Sequence, residues 1–92
     1  MRSRFSAFAL GDEAYLRRTW DRTTRPRRIG LDPEMVWTRL EIVGSALGGP
    51  LDVEGTVEFR AFYTAADLES GVQHENSTFR RVGGRWLYVG AL

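Results

Sequence analysis

The only histidine of the chain, His74, stands directly beside Glu75 in the stretch QHENSTFRRVGGRWLYVGAL, residues 73–92. An imidazole next to a carboxylate is raw material for general acid–base catalysis, provided both groups reach the same reacting atom. Glu75 is the stronger of the two candidates. Turned toward aromatic rings it loses solvation, which raises a carboxyl pKa toward the range useful to a general base. The rings that can form such a wall are Trp20, Phe59, Tyr63, Phe79, Trp86 and Tyr88, with Ser77 as a further hydroxyl. Tyr63 or Tyr88 would then be the hydrogen-bond donor. The plainer alternative is a structural ion pair between Glu75 and an arginine such as Arg39 or Arg17, because ion pairs also perturb carboxylates.

Other chemistries find less material. There is no cysteine, so disulfides, thiolate zinc sites and thiol nucleophiles are excluded together. A single histidine without partners at ligand spacing points to no metal, and no cofactor is called for. The basic stretch Arg22, Arg25, Arg27 and Arg28 is where a phosphate would be contacted. It lacks the interleaved aromatics of single-strand binding surfaces, which argues against a nucleic-acid partner. Residues 1–28 carry eight arginines against Asp12, Glu13 and Asp21, while residues 29–92 carry five arginines against nine acids. All 13 basic residues are arginine, a uniformity better explained by coding bias than by phosphate recognition.

These residues need elements to position them. A chain of 92 residues makes one domain, spanning residues 1–92, and a domain of that size buries only about 60–65% of its unfolded surface. Phe5, Phe8 and Ala9 recur at helical spacing and Gly11 is placed as a stop. Asp12 then caps a second helix that presents Tyr15, Leu16, Thr19 and Trp20 on one face. RTTRPRRIGLDP breaks the pattern and reads as loop. MVWTRLEIV and GTVEFRAFY read as strands, the second alternating so that Val57, Phe59, Ala61 and Tyr63 face one way. GSALGGPLDVEG is the turn between them. A third strand covers roughly residues 72–82, and Gly83-Gly84 predicts a two-residue turn into a fourth.

That turn sets a register. Val82 opposes Arg85, Arg81 opposes Trp86, Phe79 opposes Tyr88 and Ser77 opposes Gly90. Opposed residues share a face, so Phe79, Trp86 and Tyr88 gather on one side with Ser77 and Glu75. Neighbours on a strand point to opposite faces. His74 is therefore sent away from Glu75, and only a bulge would reunite them. The tandem is not a catalytic dyad.

In the first strand Met35, Trp37 and Val43 alternate with Val36, Leu40 and Ile42, so apolar residues fall on both faces. With Phe62, Leu87 and Val89 they predict a covered outer face and a homodimer through it. No apolar run approaches the roughly 18 residues needed to span a bilayer, and the N-terminus is not a signal peptide; no membrane partner and a cytoplasmic location follow as expectations.

The spaced elements MRSRFSAFALGDEAYLRRTW, WTRLEIV, EGTVEFRAFY, HENSTF and GRWLYV, taken together, resemble the YchJ-like bacterial family over nearly the whole chain. The resemblance implies an α+β fold of the nuclear-transport-factor-2-like, cystatin-like kind, with N-terminal helices packed in a curved antiparallel sheet of about four strands. It also implies a preceding SEC-C zinc segment in longer relatives. This chain has no cysteine to match that segment, and Met1 falls where relatives have an internal methionine, which implies a shortened reading frame. Two departures stand out. The family's TWHP is Thr19-Trp20-Asp21-Arg22 here, and its HERS is His74-Glu75-Asn76-Ser77. The resemblance brings no established activity. The reading is a non-enzymatic pocket or interaction domain for a small apolar ligand or a protein partner, with a small lyase, isomerase or hydrolase based on Glu75 as the alternative.

Overall fold

The computed structural model describes residues 1–92. Two short helices, α1 (Arg2–Leu10) and α2 (Glu13–Arg18), precede four strands: β1 (Val36–Leu47), β2 (Glu54–Thr64), β3 (Ser70–Val82) and β4 (Arg85–Ala91). The strands form one antiparallel sheet in chain order.

The helix signals act where they are written. Gly11 ends α1 in the left-handed region at φ 70° and ψ 28°, a conformation open to glycine because it has no Cβ. The Asp12 carboxylate accepts the Tyr15 N–H at 3.0 Å and so caps α2. Leu16 from α2 is fully buried, worth about 1.5–3 kcal/mol as a transferred side chain. The buried side of α1 differs from expectation. Ala9 is exposed, whereas Arg4 and Ala7 are buried and Phe5 and Phe8 are half-buried. Each of those two rings lies 6.2 Å from the Trp37 ring, which ties α1 to β1.

The segment after α2 is not helical. Trp20 lies beyond the helix, in a parallel bridge with Tyr88. The Tyr88 N–H donates to Thr19 O and the Asp21 N–H donates to Tyr88 O, both at 2.8 Å. Residues 19–21 thus supply partners for the outer edge of β4.

The Gly83-Gly84 turn has φ 59° and 79°, and the pairing runs as its length dictates from Val82↔Arg85 to Phe79↔Tyr88. Beyond that point a bulge places one extra residue in β4. Ser77 then faces Ala91 rather than Gly90. β2 and β3 pair without interruption, with Phe59 opposite Glu75 and Arg60 opposite His74. No bulge reunites the histidine and the glutamate.

β1 corrects the expected faces. It runs on to Leu47 and bulges near Thr38 and Val43. The Thr38 hydroxyl donates to Phe62 O at 3.2 Å, beside the first break in the ladder. Each extra residue reverses side-chain parity. Trp37, Leu40 and Ile42 consequently pair with Tyr63, Ala61 and Phe59 on the inner face. The outer face carries Arg39, Glu41, Glu58, Arg60 and His74 by the same register. Two residues on which the dimer expectation rested, Leu40 and Ile42, belong to the inner face. The outer Phe62 ring lies under the Arg39 guanidinium at 4.1 Å.

Candidate functional site

Glu75 reaches the inner face from the middle of β3, and Tyr88 arrives beside it from β4. The Glu75 Oε2 accepts the Tyr88 phenol at 3.1 Å and also the hydroxyl of Ser77, a residue with no solvent exposure. Burial, then the negative charge and hydrogen bond of Glu75, push the Tyr88 phenol up to about 12. At neutral pH Tyr88 is therefore an un-ionised donor and Glu75 its acceptor. Neither Arg39 nor Arg17 lies on Glu75, contrary to the ion-pair expectation. Arg39 stacks on Phe62, and Arg17 Nη1 donates to Pro26 O at 3.3 Å and to Arg27 O at 2.8 Å.

The arginine that does reach this region is Arg4. Only 4% exposed, it donates from Nη1 to Leu16 O at 3.1 Å and to Thr19 Oγ1 at 2.6 Å. Its guanidinium carbon lies 4.6 Å from the Tyr88 ring centroid and 5.1 Å from that of Trp20. The Trp20 and Tyr88 rings meet edge to face at 4.9 Å. Burial lowers the Arg4 pKa, and the nearby Tyr88, Tyr15 and Glu75 oppose that shift.

Between α1 and the sheet lies a cavity of about 260 Å³ walled by Arg4, Trp20, Trp37, Phe59, Glu75 and Tyr88, with Met1, Phe5, Phe8, Ala61 and Gln73 completing it. A second space of about 330 Å³, toward the β1–β2 turn, is lined by Phe79 and Trp86 and shares Met1 and Arg4 with the first. The rings expected around one pocket are thus divided. Trp20, Phe59 and Tyr88 stand with Glu75, whereas Phe79 and Trp86 line the neighbouring space. Ser77 sits beneath, holding the carboxylate. Tyr63 lines neither space; its ring stacks edge-on against Trp37 at 5.4 Å.

His74 lies on the outer face, with Nε2 2.6 Å from Glu58 Oε2, an acidic partner the linear sequence does not reveal. Within the basic stretch, Arg25 donates to Arg17 O at 3.2 Å, while Arg22, Arg27 and Arg28 are exposed. Asp21, where the family pattern has histidine, is buried. Its Oδ1 accepts the Thr23 N–H at 2.9 Å and the Thr23 hydroxyl at 2.6 Å, and its Oδ2 is 2.7 Å from Arg80 Nη2. Asp21 ties a turn to the sheet and does not face the cavity. No group of three or more potential ligands is placed to hold a metal, and no helix is long and apolar enough to cross a membrane.

Arg4 is the residue that sequence reasoning missed. A signal was present. Met1, Arg4, Phe5 and Phe8 share one helical face at i, i+3, i+4 and i+7, so a charge stands inside an apolar stripe.

The profile of the YchJ middle NTF2-like domain matches residues 1–91. A UPF0225 protein of Corynebacterium glutamicum is 54% identical over 88 residues, covering 96% of this chain and 69% of that protein. A UPF0225 protein of Streptomyces coelicolor is 51% identical over 89 residues, covering 97% of this chain and 68% of its own length. The solution structure of a SEC-C motif containing protein from Rhodopseudomonas palustris superimposes with a TM-score of 0.81 at 33% identity, over 100% of this chain and 73% of that one. The chain spans about two thirds of the curated relatives it matches.

Proposed function

We propose, from the premise that this chain belongs to the family of the YchJ middle NTF2-like domain, that it is a small-molecule-binding domain rather than an enzyme. The supporting observation is the placement of Glu75. Its carboxylate stands at the wall of an aromatic-lined space of about 260 Å³, held by two hydroxyls. Apolar walls with a few converging polar groups are the usual form of a ligand site, and this volume is just below the ordinary range, so the ligand is small. The proposal assumes the cone of the cystatin-like kind, with α1 seated in the concave side of a curved sheet. Contact of Phe5 and Phe8 with Trp37, and of Arg4 with Tyr88, supports that seating. It also assumes a cytoplasmic protein.

The enzymatic reading has one observation in its favour, a carboxylate and a phenol bordering the same space. Those two groups are bonded to each other, however. The Tyr88 proton points at Glu75 Oε2, so the phenol is not free to protonate a substrate; Arg4 on the same wall carries charge but is no proton donor at neutral pH, and Tyr63 does not line the space. A base without an opposed acid is a weak general acid–base site.

Titration with the neutral probe benzyl alcohol, followed through the indole N–H signals of Trp20 and Trp37 in a nitrogen-15 correlation spectrum, tests the binding reading. Saturable shifts of both indoles are expected. Gln73→Trp, at an exposed position on the rim, should abolish them without unfolding the sheet. Shifts confined to other residues, or none, overturn the reading. Self-association through the outer face is a separate proposal resting on Phe62, Leu87 and the exposed Val36 and Val72. A monomer at high concentration by light scattering overturns it.

A further inference from the structure

We infer that the ligand of the Glu75 cavity is a small monocarboxylate with an aryl or branched alkyl body, its carboxylate seated on the open edge of Arg4; this rests on the binding reading above. The carrying observation is a buried charge without an ion-pair partner. Arg4 is 4% exposed, and charged side chains are rarely so buried unless paired. The ion pairs of the structure are Arg60–Glu41, His74–Glu58 and Arg80–Asp21; none includes Arg4. Both of its hydrogen bonds leave from Nη1 and end on neutral oxygens. Nε and Nη2 are left to their surroundings.

The Trp20 Nε1 is shielded from solvent and from the cavity alike, so Trp20 contributes its ring and Arg4 the polar contact. Trp20 and Arg4 both line the cavity of about 260 Å³. An open guanidinium edge on an apolar cavity asks for a planar oxyanion, and the guanidinium fork matches a carboxylate in two parallel bonds. Phe59, Ala61 and Trp37 supply an apolar wall for the rest of the molecule.

Glu75 then acts as a selector. Its Oε2 is occupied by the protons of Ser77 and Tyr88, but its charge still borders the cavity. A ligand with one carboxylate at Arg4 is accepted, whereas a second carboxylate near Glu75 meets like charge. Dicarboxylates should be rejected.

Isothermal titration at fixed ionic strength, with the Trp20 and Trp37 indole signals as site reporters, compares phenylacetate with phenylacetamide and phthalate. Phenylacetate should bind roughly tenfold or more tightly than the amide, as charge-assisted bonds exceed neutral ones, and phthalate should not bind. Arg4→Lys, which keeps the charge and loses the planar fork, should weaken phenylacetate and leave the amide nearly unchanged. Arg4→Gln should erase the preference. Equal affinity for acid and amide at the two indoles overturns this inference and leaves the binding reading standing. An acid preference that survives Arg4→Gln intact, with shifts near Arg27 and Arg28 instead, also overturns it. Failure of both probes to move either indole overturns the binding reading itself.

Discussion

The phenol of Tyr88 and the hydroxyl of Ser77 donate to one and the same oxygen of Glu75, so a single carboxylate atom joins β3 to β4 across the inner face. The phenol is held up at about 12, from an ordinary 10.0. A raised folded pKa means the fold favours the neutral phenol. Its contribution is complete below pH 10.0 and is lost as pH rises through about 12. Stability is therefore expected to fall in that alkaline window, and ultraviolet absorbance should show one phenolate appearing only near its upper end. Tyr88→Phe should remove the alkaline loss. At neutral pH it should cost about 1.5 kcal/mol, the lower end for a bond to a charged group because Glu75 is half-buried. A phenolate titration complete by ordinary tyrosine pH would contradict the pairing.

Tyr63 owes its position to Gly71, the residue opposite it on β3. A Cβ at position 71 would stand 2.4 Å from both Cζ and the hydroxyl oxygen of Tyr63, well inside non-bonded contact distance. The ring lies over the bare backbone and from there reaches Trp37. Gly71→Ala should push the ring away and cost about 1–3 kcal/mol, the usual range for overpacking. In a Tyr63→Ala background the same change should be almost free. Urea denaturation of the two single variants and the double variant gives the coupling directly. Additive losses would show that Gly71 serves some other need.

Much of this architecture is legible in the residues themselves, because alternation and turn chemistry are local signals. The Gly83-Gly84 pair sets the last hairpin correctly as far as Phe79↔Tyr88, and the parity of His74 against Glu75 follows from strand geometry alone. The bulges are what alternation cannot supply. Those near Thr38 and Val43 move Leu40 and Ile42 to the inner face, and nothing in MVWTRLEIV marks where the ladder slips. The extra residue in β4 likewise moves Ser77 from Gly90 to Ala91. The site was half legible for a related reason. Register puts Glu75 and Tyr88 on one face, but Arg4 enters from α1, twelve residues before Leu16, whose backbone carbonyl it meets. Tertiary approach of that kind leaves only a faint mark, one charge inside an apolar face.

Asp21 gives the acid counterpart of the Tyr88 prediction. The hydroxyl and N–H of Thr23 hold its carboxyl below the ordinary 3.8, with Arg80 adding to the same direction against the opposing effect of burial. A depressed folded pKa stabilises the fold above 3.8 and loses that effect as pH falls through the lower folded value. Asp21→Asn should lower the melting temperature at neutral pH, and the gap to the parent should narrow as the solution is acidified below the ordinary value. Arg80→Gln should reproduce part of the loss and be less than additive with Asp21→Asn. A gap that stays constant into strong acid would show that packing at position 21, rather than its charge, accounts for the difference.

Leu68 is a place where the chain carries strain without visible compensation. Its N–H donates to Ala65 O at 2.9 Å, closing the β2–β3 turn, and the Ala65 N–H returns to Glu69 O at 2.9 Å. The turn needs a left-handed residue at its end, a position that glycine or asparagine usually fills. Here a leucine adopts φ 66° while 83% exposed. Left-handed backbone costs a residue with a Cβ about 1–2 kcal/mol, whereas glycine loses some of that advantage through its freer unfolded chain, by about 0.4–1 kcal/mol. Leu68→Gly should therefore stabilise the domain by about 0.5–1 kcal/mol, and at this chain length each kcal/mol moves the melting temperature by about 4–8 °C. Leu68→Asn should act in the same direction with less unfolded-state cost. Calorimetry decides the matter. Unchanged or lower melting temperatures for both variants would mean that the leucine side chain, although it projects into solvent, makes a contact whose loss offsets the relief of its backbone.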